Sequence, residues 1–100
     1  MEITQDQIKE FLAILTYKAN CSYAYDANKN KTYTRIAMAP VHNCKPLESQ
    51  RSVYCFIRNS DGAILKAASY KAPAKGVRAW LGEVLIDSSR VSPTTAWLYR

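Results

Sequence analysis

The chain has 100 residues, 48% of them hydrophobic and 22% charged, with a net charge of +6 and a pI near 9.4. That length makes one domain spanning residues 1–100, and the content of aromatic and aliphatic residues is that of a chain with a packed core, not of a disordered one. Apolar runs fall well short of the ~20 residues that span a bilayer, the N-terminus MEITQDQIKE has no basic n-region and no cleavage site, so no signal peptide is expected, and the basic balance points to an anionic partner.

Thr4 is a good N-cap, with Gln7 placed to close a capping box and Ile3 and Ile8 placed as a hydrophobic staple. Ile8, Phe11, Leu12, Leu15 and Ala19 recur at helical spacing, so residues 4–20 are expected to form an amphipathic helix docked on a sheet. Residues 21–31, ending in DANKNK, read as a turn or hairpin tip. A strand is expected from Tyr33 to Ala39, stopped by Pro40. Residues 40–50, with two prolines, read as a loop.

The clearest strand is Ser52–Arg58, rich in β-branched and aromatic residues. Asn59-Ser60-Asp61-Gly62 suits a type I turn with Gly62 in the left-handed region, as a three-residue hairpin loop with a bulge. That register pairs Ile57 with Leu65 and Cys55 with Ala67. It places Val53, Cys55, Ile57, Leu65 and Ala67 on a core face, and Tyr54, Phe56, Arg58, Ile64, Lys66 and Tyr70 on the other. A two-residue Asp-Gly turn would shift the register and mix these sets. Pro73 then starts a helix over about 74–87, carried by Val77, Trp80, Leu81, Val84 and Leu85 and weakened by Gly76 and Gly82. Ser92-Pro93 caps a short final turn before AWLYR. The fold class is α+β: a three- to four-stranded antiparallel sheet with an N-terminal helix and a second helix after the central hairpin.

The charge is uneven. Residues 31–80 hold nine cations against Glu48 and Asp61, a net +7, whereas the first thirty residues sum to −1 and the last twenty to zero. Aromatic rings interleaved with cations are how single-stranded nucleic acid is bound: bases stack on rings and cations track phosphates. On this pattern the nucleic-acid-binding residues are Arg35, Arg51, Tyr54, Phe56, Arg58, Lys66, Tyr70, Lys71, Lys75 and Arg78. The basic start of the second helix, KAPAKG, is a further phosphate-binding element. The same surface also suits an acidic host protein, such as a polymerase or defence factor, because aromatics and arginine dominate interface hot spots. Either partner is compatible with a monomer or a homodimer.

Other chemistries find little support. Cys21, His42, Cys44 and Cys55 are a zinc-type ligand set at poor spacing, with no Cys-x-x-Cys pair, so no metal or other cofactor is expected. His42 beside Cys44 lacks the geometry and the third group of a Cys–His nucleophile, the carboxylates form no evident pair, and no enzymatic activity is expected.

The stretch Arg51-Ser52-Val53-Tyr54-Cys55-Phe56, then Gly62, then Leu65-Lys66-Ala67-Ala68-Ser69-Tyr70-Lys71-Ala72-Pro73-Ala74-Lys75, resembles a family of small uncharacterised bacteriophage proteins with an RSVYCF…G…LKAAS(W/Y)KAPAK segment. The resemblance covers about a quarter of the chain. It implies a phage origin and action in the cytoplasm of an infected host cell, and it brings no known activity.

Overall fold

The computed structural model describes residues 2–99; Met1 and Arg100, the latter closing the AWLYR stretch, lie outside them. Helix α1 runs Gln5–Ala19. Its capping box forms as expected, the Gln7 N–H donating to Thr4 Oγ1 at 3.2 Å and the Thr4 N–H to Gln7 Oε1 at 2.9 Å. Asn20 ends the helix in the left-handed region with φ 51°. Ile8, Phe11, Leu15 and Ala19 form the buried face, and Ile3 packs against the same core.

The sheet is antiparallel, built from β1 (Tyr23–Lys29), β2 (Tyr33–His42), β3 (Lys45–Pro46), β4 (Ser52–Arg58), β5 (Ala63–Leu65) and β6 (Ala79–Trp80). Strand order is β1-β2-β4-β5-β6, with β3 paired to the end of β2. Helix α2 (Leu81–Ile86) follows β6 directly, and a 3-10 turn closes the chain at Thr95–Tyr99. The α+β class holds, with more strands than the three or four expected.

Two extra strands come from segments read as turn and loop. Tyr23–Lys29 is an edge strand in full register with β2, from Tyr23 opposite Pro40 to Lys29 opposite Thr34. Its polar residues hide it in the sequence, yet an edge strand needs only alternate residues to be apolar, and Tyr23, Tyr25 and Ala27 supply them. Pro40 does not stop β2. It has no N–H to give, but its carbonyl accepts from the Leu47 N–H at 2.8 Å, and Val41 N–H donates to the Ser22 carbonyl at 3.0 Å. The strand then reverses at Asn43-Cys44, whose φ values of 52° and 64° are those of a tight two-residue hairpin turn.

The central hairpin corrects the expected register by one residue. Ile57 lies opposite Ile64 and Phe56 opposite Leu65, because the loop contains four residues, 59–62. Gly62 is left-handed, as expected, with φ 79°, and its N–H closes the turn on the Arg58 carbonyl at 2.8 Å. The shift moves Ile64 into the core and Leu65 to the opposite face. A second departure lies within β4: Ile36 pairs with Cys55 but Ala37 with Val53, leaving Tyr54 as the extra residue of a β-bulge. The bulge turns Tyr54 to the helix side. There its ring meets Phe11 edge-on at 6.5 Å and Tyr25 at 5.7 Å.

One core results, between α1, α2 and the C-terminal segment on one side and Ile36, Cys55, Ile57 and Ile64 on the other. The expected helix over 74–87 shortens to Leu81–Ile86, and Pro73, Ala74 and Lys75 lie outside any helix. Gly76, at φ 97°, is left-handed, and Val77 and Trp80 remain 40% and 38% exposed. Residues 66–78 form instead an irregular strap. It is held by a bridge between Ala67 and Pro73, by Ala74 N–H on the Lys66 carbonyl and by Arg78 N–H on the Ile64 carbonyl, each at 2.8 Å.

Candidate nucleic-acid interface

The face of the sheet turned away from α1 is built across β2, β4 and β5. Arg35 lies opposite Phe56, and Phe56 opposite Leu65; residues directly opposite in an antiparallel pair share a face. Tyr33, two residues from Arg35, meets the Phe56 ring at 6.2 Å in an edge contact. Trp80 on β6 lies opposite Ala63.

The ten residues expected to form the interface divide sharply. Tyr54, only 1% exposed, has been turned into the core. Its phenol donates to the Ser92 carbonyl at 2.5 Å and accepts the Trp97 indole N–H at 2.6 Å. Phe56 keeps the expected face but is 2% exposed, so it serves as floor and offers no surface to a base. Arg51 is paired with Asp26 and Glu48, beside a cleft of about 140 Å³ walled by Ala24, Ala37, Ala39 and Pro46. The bond to Glu48 above all holds its guanidinium more firmly protonated than usual; desolvation opposes this, and the bond to Asp26 adds to it. Arg58 grips Asp61 with two bonds, Nε to Oδ1 at 3.0 Å and Nη2 to Oδ2 at 2.7 Å. That contact lowers the Asp61 carboxyl below the usual range, helped by the Ala63 N–H. Both arginines are therefore largely neutralised where they stand.

The remaining candidates sit on or beside the strap. From Gly62 to Gly82 the chain holds Lys66, Lys71, Lys75 and Arg78 and no carboxylate. Lys71 and Lys75 are exposed, as is Tyr70 at 48%. The Arg35 guanidinium lies over the Tyr70 ring, 4.4 Å from its centroid, a cation–π geometry. The Nε atoms of Arg35 and Arg78 are buried without a hydrogen-bond partner. The expected basic helix start at KAPAKG does not form, and its cations are carried by irregular backbone instead.

Trp80 is the residue of this surface that periodicity concealed. Helical spacing assigned it to a buried face, whereas pairing with Ala63 in β6 exposes it. The signal that separates the two is the pair Gly76 and Gly82 on either side, which argues against a continuous helix.

Cys21 and Cys44 are exposed and Cys55 is buried. Among the described residues no group of His, Cys, Asp and Glu is arranged to hold a metal ion, and no helix is long and apolar enough to cross a membrane. No curated protein and no solved structure matches the chain. A family model does match, over residues 2–97, and on that coverage the chain belongs to the Family of unknown function (DUF7717).

Proposed function

We propose that the protein is a small accessory protein that binds nucleic acid through the basic-aromatic strap and the sheet face beside it, acting by binding and without chemistry of its own. The observation that carries this reading is the stretch 62–82, whose sequence has no Asp or Glu, and in which Lys71 and Lys75 are exposed and two aromatic rings, Tyr70 and Trp80, are partly exposed. Cations of this kind displace the counterions of a phosphate backbone, and exposed rings accept bases. The resemblance of residues 51–75 to small phage proteins supports a phage origin and action in the cytoplasm of an infected cell. Single strands are favoured over duplex, because among the described residues none of the cations of this surface lies on a helix that could enter a groove.

The test is fluorescence anisotropy with labelled single- and double-stranded DNA and RNA over a salt series of about 50 to 200 mM. The expected result is about micromolar binding with a steep salt slope, lost in the double variant Lys71→Ala, Lys75→Ala. Absence of binding at the lowest salt sinks the reading. The exposure of Val77 beside Trp80 favours a second reading, docking on an acidic host protein. Such an interface keeps much of its affinity as salt rises, because its centre is apolar.

A further inference from the structure

We infer that Arg35 and Tyr70 form a nucleotide subsite for unpaired nucleic acid, in which the Arg35 guanidinium edge takes a backbone phosphate and the Tyr70 ring takes the adjoining base. The inference rests on the nucleic-acid reading above and names where the strand docks.

Arg35 is held near the start of β2, with Asn28 opposite it on β1 and Phe56 opposite it on β4. A guanidinium has two separate binding modes: its face stacks on rings, and its edge donates in plane to a phosphate or carboxylate. Here the face is used, stacked on Tyr70. The edge is not: Nε is buried without an acceptor, and among the described residues Arg35 forms no ion pair. Arg51, just before β4, and Arg58, at its end, each have a carboxylate. A guanidinium oriented by stacking, with no carboxylate on its edge, suits an anion, since buried donors are usually satisfied.

Tyr70 stays 48% exposed with Arg35 against it, so a base can stack on it without displacing the arginine. Lys71 is the next residue and Lys75 lies on the same strap, both exposed, where they serve the flanking phosphates. Nε is buried, and the ring stacked on the guanidinium, Tyr70, belongs to the strap held by the Ala67–Pro73 bridge and by bonds from Ala68, Ser69 and Ala74. Phosphate contact at Nε requires that strap to shift. A paired base already has both faces stacked in its helix, so the subsite selects single strands.

The experiment compares a labelled deoxythymidine oligomer with a duplex of equal length, on the full chain and on Tyr70→Phe, Tyr70→Ala and Arg35→Ala, with folding checked by circular dichroism. Tyr70→Ala is expected to weaken single-strand binding about 5- to 150-fold and to leave duplex binding unchanged, while Tyr70→Phe retains it. Arg35→Ala is expected to reduce the salt slope on the single strand by about 0.7, the loss of one phosphate contact. If the wild-type chain binds and Tyr70→Ala and Arg35→Ala bind equally well, the subsite is wrong and the general reading stands. If the wild-type chain binds no nucleic acid, both fall. Should a variant fail to fold, NMR on the wild-type chain decides: the Arg35 Nε–H resonance must move on titration with the deoxythymidine oligomer, and an unmoved resonance overturns the assignment.

Discussion

The Trp97 indole N–H donates to the Tyr54 hydroxyl at 2.6 Å, inside the core and across 43 residues of sequence. The same hydroxyl donates to the Ser92 carbonyl at 2.5 Å, and Tyr25 makes a parallel bond to the Pro93 carbonyl at 2.5 Å. Lys18 from α1 reaches the Ser88 and Val91 carbonyls. The C-terminal segment thus has its backbone carbonyls satisfied by side chains from three other elements, which is what allows a stretch without regular ladders to be buried. Tyr54→Phe removes the acceptor of Trp97 and the donor to Ser92 while keeping the ring. A loss of about 1–3 kcal/mol is expected from the stranded indole N–H. Urea denaturation followed by tryptophan fluorescence measures it, and an unchanged midpoint would show that the bond contributes nothing.

Tyr25 gives a pH dependence. Burial, with Tyr23 as a lesser contributor, raises its phenol from 10.0 to about 12. The folded state therefore favours the protonated phenol. Its contribution to stability is complete below pH 10, the unfolded value, and is lost as pH rises through about 12. Stability should fall across that window in wild type, and Tyr25→Phe should fall less steeply, as read by denaturation at a series of alkaline pH values.

The thiols report on packing. Cys21 and Cys44 are exposed, whereas Cys55 is buried and its thiol is pushed up by desolvation. Two thiols are expected to react rapidly with a disulfide reagent in the native protein, and the third only with denaturant. Three fast thiols would contradict the burial of the β4 core face.

Gly62 is held in a conformation that side chains rarely adopt, with φ 79°, and a Cβ there would stand 3.2 Å from both Ile3 Cγ2 and Leu81 Cβ. Gly62→Ala should cost more than the ~1 kcal/mol by which such a swap stabilises unstrained sites. Gly76, also left-handed at φ 97° but with open space around it, should lose less. Thermal unfolding of the two variants side by side checks the order.

At the N-terminus, Thr4→Ala removes the acceptor of the Gln7 N–H and is expected to cost about 1 kcal/mol. Thr4 is not among the residues of the proposed interface, so nucleic-acid affinity should be unchanged, which separates loss of stability from loss of binding.

What the sequence determined by itself is what local chemistry decides. Thr4, Gln7 and the spacing Ile8, Phe11, Leu15 define α1 because capping and helical period act within a few residues. Ser52–Arg58 is a strand by composition, and Gly62 is left-handed because the turn needs it. The uneven charge, too, is a property of the chain. The tertiary structure alone decided which face each residue takes. A four-residue loop in place of three moved Ile64 inward, and one bulge turned Tyr54 from the second face into the core, since in a sheet a single-residue shift inverts every side chain beyond it. The polar strand Tyr23–Lys29 exists because β2 is there to pair with it. The strap 66–78 remains unhelical because Trp80 gains a sheet partner in Ala63 and Gly76 disfavours helix. The candidate site therefore moved from a row of aromatics on one hairpin to Arg35, Tyr70 and the strap, a juxtaposition of distant segments that no local pattern encodes.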